Sequence, residues 1–323
     1  MCTSIRFNDG KGNLFFGRNL DWGFDYGETP IVVPRNWSWQ SLHEGTITTK
    51  TAVTGMGIMQ GDMPLYFDCA NEEGLGIAGL SFAGYAVYKD ATPQAQHNVA
   101  TFEFPLWVCS QFTTVDEAEA ALKETNLTTD AAGPNLAVTP MHWLVVDHQR
   151  AIVIEQSAEG MRIYDNGFDA LTNQPGFDFQ RENIRAYMAA TNEWPADATW
   201  TRETLKPYGT GLSMRQIPGD CSSPSRLVRA AFLNAFYPQQ DDEAGNVARL
   251  FHILGNVAMV LGQCKMADGS FEHTLYTGGW YAATKTYYWN QYNDPTIRMV
   301  RLTEELATAA APTKITDGEI FNG

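Results

Sequence analysis

Apolar and polar residues alternate from the start of the chain. In "TSIRFNDGKGNLFFGRNLDW" two runs of strand character flank Asp9-Gly10-Lys11-Gly12-Asn13. Glycine supplies the positive φ that a tight turn requires, so the pattern predicts a hairpin. "YFDCANEEGLGIAGLSF" repeats it around Glu73-Gly74, and "MHWLVVDHQRAIVIEQS" repeats it around residues 147–150. "HTLYTGGWYAATKTYYWNQY" adds strand material rich in Tyr and Thr near the C-terminus, and β-branched content supports strand in each case.

Helical patterns lie between these blocks. "VDEAEAALKETN" is rich in Ala and Glu, with Thr114 as its cap. "RENIRAYMAATNE" carries apolar residues at helical spacing, and "SPSRLVRAAFLNAFY" opens with Ser223-Pro224, a helix-start signature. "EAGNVARLFHILGNVAMVLG" places Val247, Leu250, Leu254 and Val257 on one face. Hairpins and helices in separate blocks indicate an α+β protein, with helices covering two mainly antiparallel sheets. No Gly/Ser-rich or Pro-rich linker divides residues 1–323, so the chain reads as a single domain, with a peripheral tail from about Thr308.

Composition narrows the partners. The 323 residues are 44% apolar and 18% charged, with a formal net charge of −15. That argues against a nucleic-acid partner, which needs a clustered basic face, and against anionic membranes. No apolar run reaches the ~18 residues that span a bilayer. The first twenty residues hold no continuous apolar region, so no signal peptide is expected. The five cysteines are far apart, odd in number and without a CxxC pair, which suggests neither a disulfide framework nor a zinc site. A reducing cytoplasm is the expected home. The six His are scattered and none has HExxH spacing, so no metal or cofactor is expected.

Candidate chemistry sits at the front. Removal of Met1 would give Cys2 both a thiol and a free α-amine. An α-amine titrates near ~7.7–8.0 and can take a proton at neutral pH. A nucleophile with its own adjacent base is a route to covalent catalysis. Cys2 taken alone reads better as a bystander, buried as a small apolar group or simply exposed. The returning strand of the first hairpin changes this, because "GRNLDW" brings Arg18 and Asp21 near the register of Cys2. A guanidinium there favours the thiolate, and a carboxylate can orient the amine.

"MCTSIRF…FGRNLDW", "LYFDCANEEGLGIAGLSF", "LTNQPGFDFQ" and "PGDCSSPSRLVRA", in this order, resemble the choloylglycine hydrolase family, and within it the bile salt hydrolase branch of gut bacteria. The likeness runs to the closing "TLYTGGWYAATKTYYWNQYNDPTIR". It implies an N-terminal nucleophile hydrolase with an αββα four-layer sandwich, assembled as a homotetramer. The implied reaction is hydrolysis of the amide of glycine- or taurine-conjugated bile acids through the Cys2 thiol, beside Arg18 and Asp21. Asn173 matches the family's side-chain oxyanion donor, and Arg226 matches a further catalytic-site arginine. Ser81 matches the position whose backbone N–H completes the oxyanion hole. Bile salt hydrolases usually carry Asn there ("GLNF") and penicillin V acylases often Tyr, whereas this chain has "GLSF". Acylases of penicillin V or of N-acyl homoserine lactones, and a non-catalytic bile-acid-binding protein, are the alternatives.

A large apolar acyl group needs an adaptable apolar pocket. Trp22, Phe24 and Tyr26 follow the catalytic strand, and "MGIMQGDMPLYF" adds Met56, Ile58, Met59 and Leu65 in a stretch that its glycines mark as a loop.

Overall fold

The computed structural model describes residues 1–134 and 136–323. Its opening hairpin pairs Cys2–Asn8 with Leu14–Trp22, setting Cys2 opposite Leu20 and Ser4 opposite Arg18. Asp9 closes the turn by accepting the backbone N–H groups of Lys11 and Asn13 at 2.8 Å each. Gly12 there has a φ of 87°, which explains the glycine.

This hairpin lies inside an eight-stranded sheet in the order Ala170–Leu171, Cys2–Asn8, Leu14–Trp22, Phe271–Tyr281, Thr286–Gln291, Asp294–Arg301 and Glu319–Ile320, with Cys264–Lys265 beside Phe271–Tyr281. A second eight-stranded sheet runs Gly160–Asp165, Ala151–Ser157, Met141–Val146, Gly76–Ser81, Met63–Asn71, Val53–Gln60, Thr29–Val33 and Thr313–Lys314. The pairings within both sheets are antiparallel. The stretch after Thr308 thus adds a short edge strand to each sheet.

Period-two alternation sorts the side chains into three apolar layers. Leu14, Phe16 and Trp280 from the first sheet meet Leu80, Leu144 and Val146 from the second in a core between the sheets. Ile5, Phe7 and Phe15 point the other way, against Leu227 and Leu250 of helices Ser223–Phe236 and Glu243–Asn256. Ile77, Val145 and Ile154 cover the outer face of the second sheet, against helices Phe104–Gln111 and Val115–Leu122. Three cores between four layers give the α+β sandwich that the family resemblance implies.

Three elements differ from the pattern-based expectation. Phe104–Gln111 is a helix that periodicity does not reveal, because it is buried from Phe104 to Ser110 and shows no polar face. The helix expected over "RENIRAYMAATNE" begins earlier, at Phe177 after the cap residue Gly176, and ends with a 3₁₀ turn at Arg185–Tyr187. The stretch around Met56–Leu65 is a hairpin of Val53–Gln60 and Met63–Asn71 rather than a loop. Its glycines report crowding: a Cβ on Gly55 would lie 2.1 Å from the Asp68 carbonyl oxygen.

Candidate active site

The Cys2 main chain is held from both ends. Its N–H donates to Asn173 Oδ1 at 2.7 Å, and its carbonyl accepts from Arg226 Nη1 at 2.5 Å. Arg226 also donates to Thr3 Oγ1 at 2.6 Å, to Asn173 Oδ1 at 2.7 Å and to the Cys221 carbonyl at 3.0 Å. Pro224 starts the helix Ser223–Phe236, and its first turn carries Arg226 inward. The guanidinium is fully buried, not an exposed charge at a helix end. Burial lowers its pKa, opposed by Asp21 and Cys2.

Arg18 and Asp21 are three residues apart on one strand, so alternation sends them to opposite faces. Arg18 enters the layer between the sheets and donates to the Phe67 carbonyl at 3.1 Å. That carbonyl is free because Phe67 is the extra residue of a bulge, skipped between Met56↔Asp68 and Gly57↔Tyr66. Behind it, Asp68 accepts from the hydroxyls of Tyr276 and Tyr287. Burial alone would lower the pKa of Arg18, but Cys2, Tyr276, Asp68 and Asp21 together raise it. Burial raises that of Asp68 despite Arg18.

Asp21 lies on the Arg226 side, with Oδ2 3.9 Å from Nη1. Thr274 Oγ1 donates to its Oδ1 at 2.6 Å, and Oδ2 has no hydrogen-bond partner among the described residues. With Met1 in place, the terminal ammonium donates to the Asp21 carbonyl at 2.6 Å and contacts Glu272. Burial lowers the pKa of that ammonium.

The orientation of Asn173 is fixed by its partners. Its Oδ1 faces two obligate donors, Cys2 N and Arg226 Nη2, so Nδ2 points away and donates to the Ser81 carbonyl at 2.9 Å. Nδ2 keeps one further hydrogen. The Ser81 N–H lies on the same side. Phe82 N donates to the Pro140 carbonyl at 2.8 Å, so Phe82 is the hydrogen-bonded position and Ser81, opposite Met141, is the alternate one. The Ser81 N–H therefore points to the other edge of its strand, where pairing with Met63–Asn71 has ended at Asp68↔Ala78. Ser223 Oγ holds the Asn173 main chain, accepting its N–H at 2.9 Å and donating to its carbonyl at 2.8 Å.

Cys2, Asp21 and Ser81 line a cavity of 240 Å³ together with Trp22, Tyr26, Ile58 and Leu65. Three of the residues expected in the pocket lie elsewhere. Met56 is 1% exposed in the core between the sheets, on the strand face it shares with Ile58 but beyond the cavity wall. Met59 lines a neighbouring groove beside Trp37 and Trp39. Phe24 is 63% exposed and touches the cavity only through the edge of Tyr26. Phe67, Phe102 and Val138 line the cavity unforeseen. No motif marks them, since they arrive from a bulge and from two loops.

The model for linear amide C–N hydrolases of the choloylglycine hydrolase family matches residues 2–313. A bile salt hydrolase/transferase of Bifidobacterium longum subsp. longum is 51% identical over 92% of this chain and 94% of its own length. A conjugated bile acid hydrolase of Lactobacillus gasseri is 43% identical over 96% of this chain and 98% of its own. Among solved structures, the C2A mutant of a Clostridium perfringens conjugated bile acid hydrolase superposes with a TM-score of 0.91 at 30% identity, covering 99% of this chain and 98% of that one. A penicillin V acylase of Agrobacterium tumefaciens shares the fold, with a TM-score of 0.75 at 19% identity over 95% of this chain and 88% of its own. With the N-terminal nucleophile hydrolase fold, a buried cysteine at position 2 and a family match over nearly its whole length, this chain belongs to the choloylglycine hydrolase family of linear amide hydrolases.

Proposed function

We propose that this chain, acting as a single catalytic domain, hydrolyses the amide bond of glycine- or taurine-conjugated bile acids through Cys2 once Met1 is removed. One observation carries the reading: a cysteine clamped by Asn173 and Arg226 opens onto an apolar cavity, in a chain whose relatives are named for bile salt hydrolysis.

The Cys2 sulfur attacks the carbonyl carbon and its proton passes to the Cys2 amine, which Asn173 Oδ1 orients. Arg18 is within electrostatic reach of Cys2, and Asp21 steadies the ammonium. The tetrahedral oxyanion is held by the Ser81 N–H and the remaining Nδ2 hydrogen of Asn173. As the C–N bond breaks, the ammonium returns its proton to the departing glycine or taurine nitrogen. Water then cleaves the thioester, releasing the bile acid and restoring the thiol. Trp22, Tyr26, Ile58 and Leu65 receive the steroid plate. Ser81 serves through its main chain, so replacing the family's usual Asn alters side-chain contacts and not the donor.

Five cysteines, none in a disulfide, fit a reducing cytoplasm. A homotetramer fits the exposed Met188, Trp194, Trp200 and Tyr208, which crowd one arm of the chain.

Intact mass and product release test the reading. Loss of Met1, with glycine or taurine freed from glycocholate or taurocholate and no turnover by Cys2→Ala, is the expected result. Turnover of penicillin V without either bile conjugate would transfer the chain to the acylase reading. Retained Met1 in an active enzyme would remove the amine from the mechanism.

A further inference from the structure

A histidine sits in the apolar layer between the two sheets, where the mechanism above gives it no part. His142 is fully buried on the strand Met141–Val146, on the face that carries Leu144 and Val146 into the core. Its two ring nitrogens reach opposite ways. Nε2 donates to the Thr172 carbonyl at 2.7 Å, and Nδ1 shares a hydrogen bond with Glu155 Oε1 at 3.1 Å. The same Glu155 oxygen accepts the Phe177 N–H at 2.9 Å, at the start of helix Phe177–Ile184. The turn that carries Asn173 is therefore pinned at Thr172 by His142 and at Phe177 by Glu155. Gly176, inside the turn, approaches closely: a Cβ there would lie 3.3 Å from Glu155 Oε2.

The other oxyanion donor is tied to the same ring. Phe82, directly after Ser81, stacks on the His142 imidazole with ring centroids 4.4 Å apart and planes 6° from parallel. Across the ladder His142 faces Leu80, one residue before Ser81.

We infer that the His142–Glu155 pair is the positioning element of the oxyanion hole, locking the Asn173 turn and the Ser81 strand end into one frame. The inference rests on the proposed hydrolase reading. Neither residue touches substrate, so the pair acts through Asn173 and Ser81. Misplacing a catalytic group by about 1 Å can lower the rate about 100-fold. Two variants test this. His142→Phe keeps the bulk and the stacking but loses both hydrogen bonds, and Glu155→Gln keeps an acceptor for Phe177 N–H but removes the carboxylate that faces His142. Each is measured for kcat and KM on glycocholate, and for alkylation of Cys2 by iodoacetamide, followed on the Cys2 peptide. Alkylation needs the nucleophile but no oxyanion hole. A fall in kcat of about 10- to 100-fold, with KM and Cys2 alkylation nearly unchanged, is expected. An unchanged kcat, or a parallel fall in kcat and alkylation, would overturn the inference. If His142→Phe fails to fold, Glu155→Gln decides alone. If the wild type cleaves penicillin V and not glycocholate, the substrate reading fails while the same ratios, read on penicillin V, still judge the pair.

Discussion

Asn173 combines two jobs in one side chain. Its oxygen holds Cys2 N and Arg226, which frees its nitrogen for Ser81 and the cavity. Asn173→Ala removes both, and loss of one oxyanion donor lowers rates by about 10²–10³. A fall in kcat of at least that size on glycocholate is expected. Ser81→Ala keeps the backbone donor, and its kcat should stay close to wild type. Steady-state kinetics of the two variants check the contrast: a large loss in Ser81→Ala would show that the hydroxyl, not the N–H, is used. The sequence carried these residues unequally. Cys2, Arg18 and Asp21 belong to one hairpin, so the turn alone brings Arg18 and Asp21 beside the register of Cys2, one on each face of the sheet. Asn173 lies 171 positions from Cys2 and Arg226 lies 224 away, and no local pattern encodes contacts of that span. Only the family resemblance picked them out.

At the scale of elements, irregularities aim the site more than regular strands do. One bulge at Phe67 frees the carbonyl that receives Arg18, and a second, between Thr274 and Tyr276, lies opposite Leu20 and Asp21. Bulges depend on tertiary pairing, which is why Phe67 goes unmarked in the sequence, while glycines at 55, 57 and 61 make residues 56–65 read as a loop. Ile58 and Leu65 reach the cavity while Met56, on the same face as Ile58, lies in the core beyond it. The hairpins, by contrast, were legible because turn and alternation agree. Gly55 tests the crowding behind this bulge. An added methyl would meet the Asp68 carbonyl oxygen at 2.1 Å and the Cys69 Cα at 2.4 Å, both backbone atoms that cannot swing aside. Gly55→Ala should therefore lower stability by about 1–3 kcal/mol, the usual range for overpacking. Urea unfolding measures it, and an unchanged midpoint would mean that the two strands separate easily at the bulge.

At the scale of the molecule, charge and exposed apolar surface oppose each other. The formal net charge of −15 makes copies of the chain repel. Yet residues 188–208, regular only in the short hairpin Ala198–Trp200 and Glu203–Leu205, present Met188, Trp194, Trp200 and Tyr208 at 86%, 60%, 73% and 82% exposure. Four large exposed apolar side chains within one arm are what a contact between copies would bury. If that arm joins copies, salt must help, because screening shortens the repulsion to about 8 Å at physiological ionic strength. Apolar contact, meanwhile, does not weaken with added salt. Sedimentation of the wild type should thus give a four-chain particle at physiological salt that loosens as salt is withdrawn. Trp200→Asp places a charge in the contact and should leave single chains at every salt concentration. Trp200 lies outside the set of residues that line the cavity, so its turnover per chain should persist. A wild type that sediments as one chain at physiological salt would remove the arm from any role in assembly.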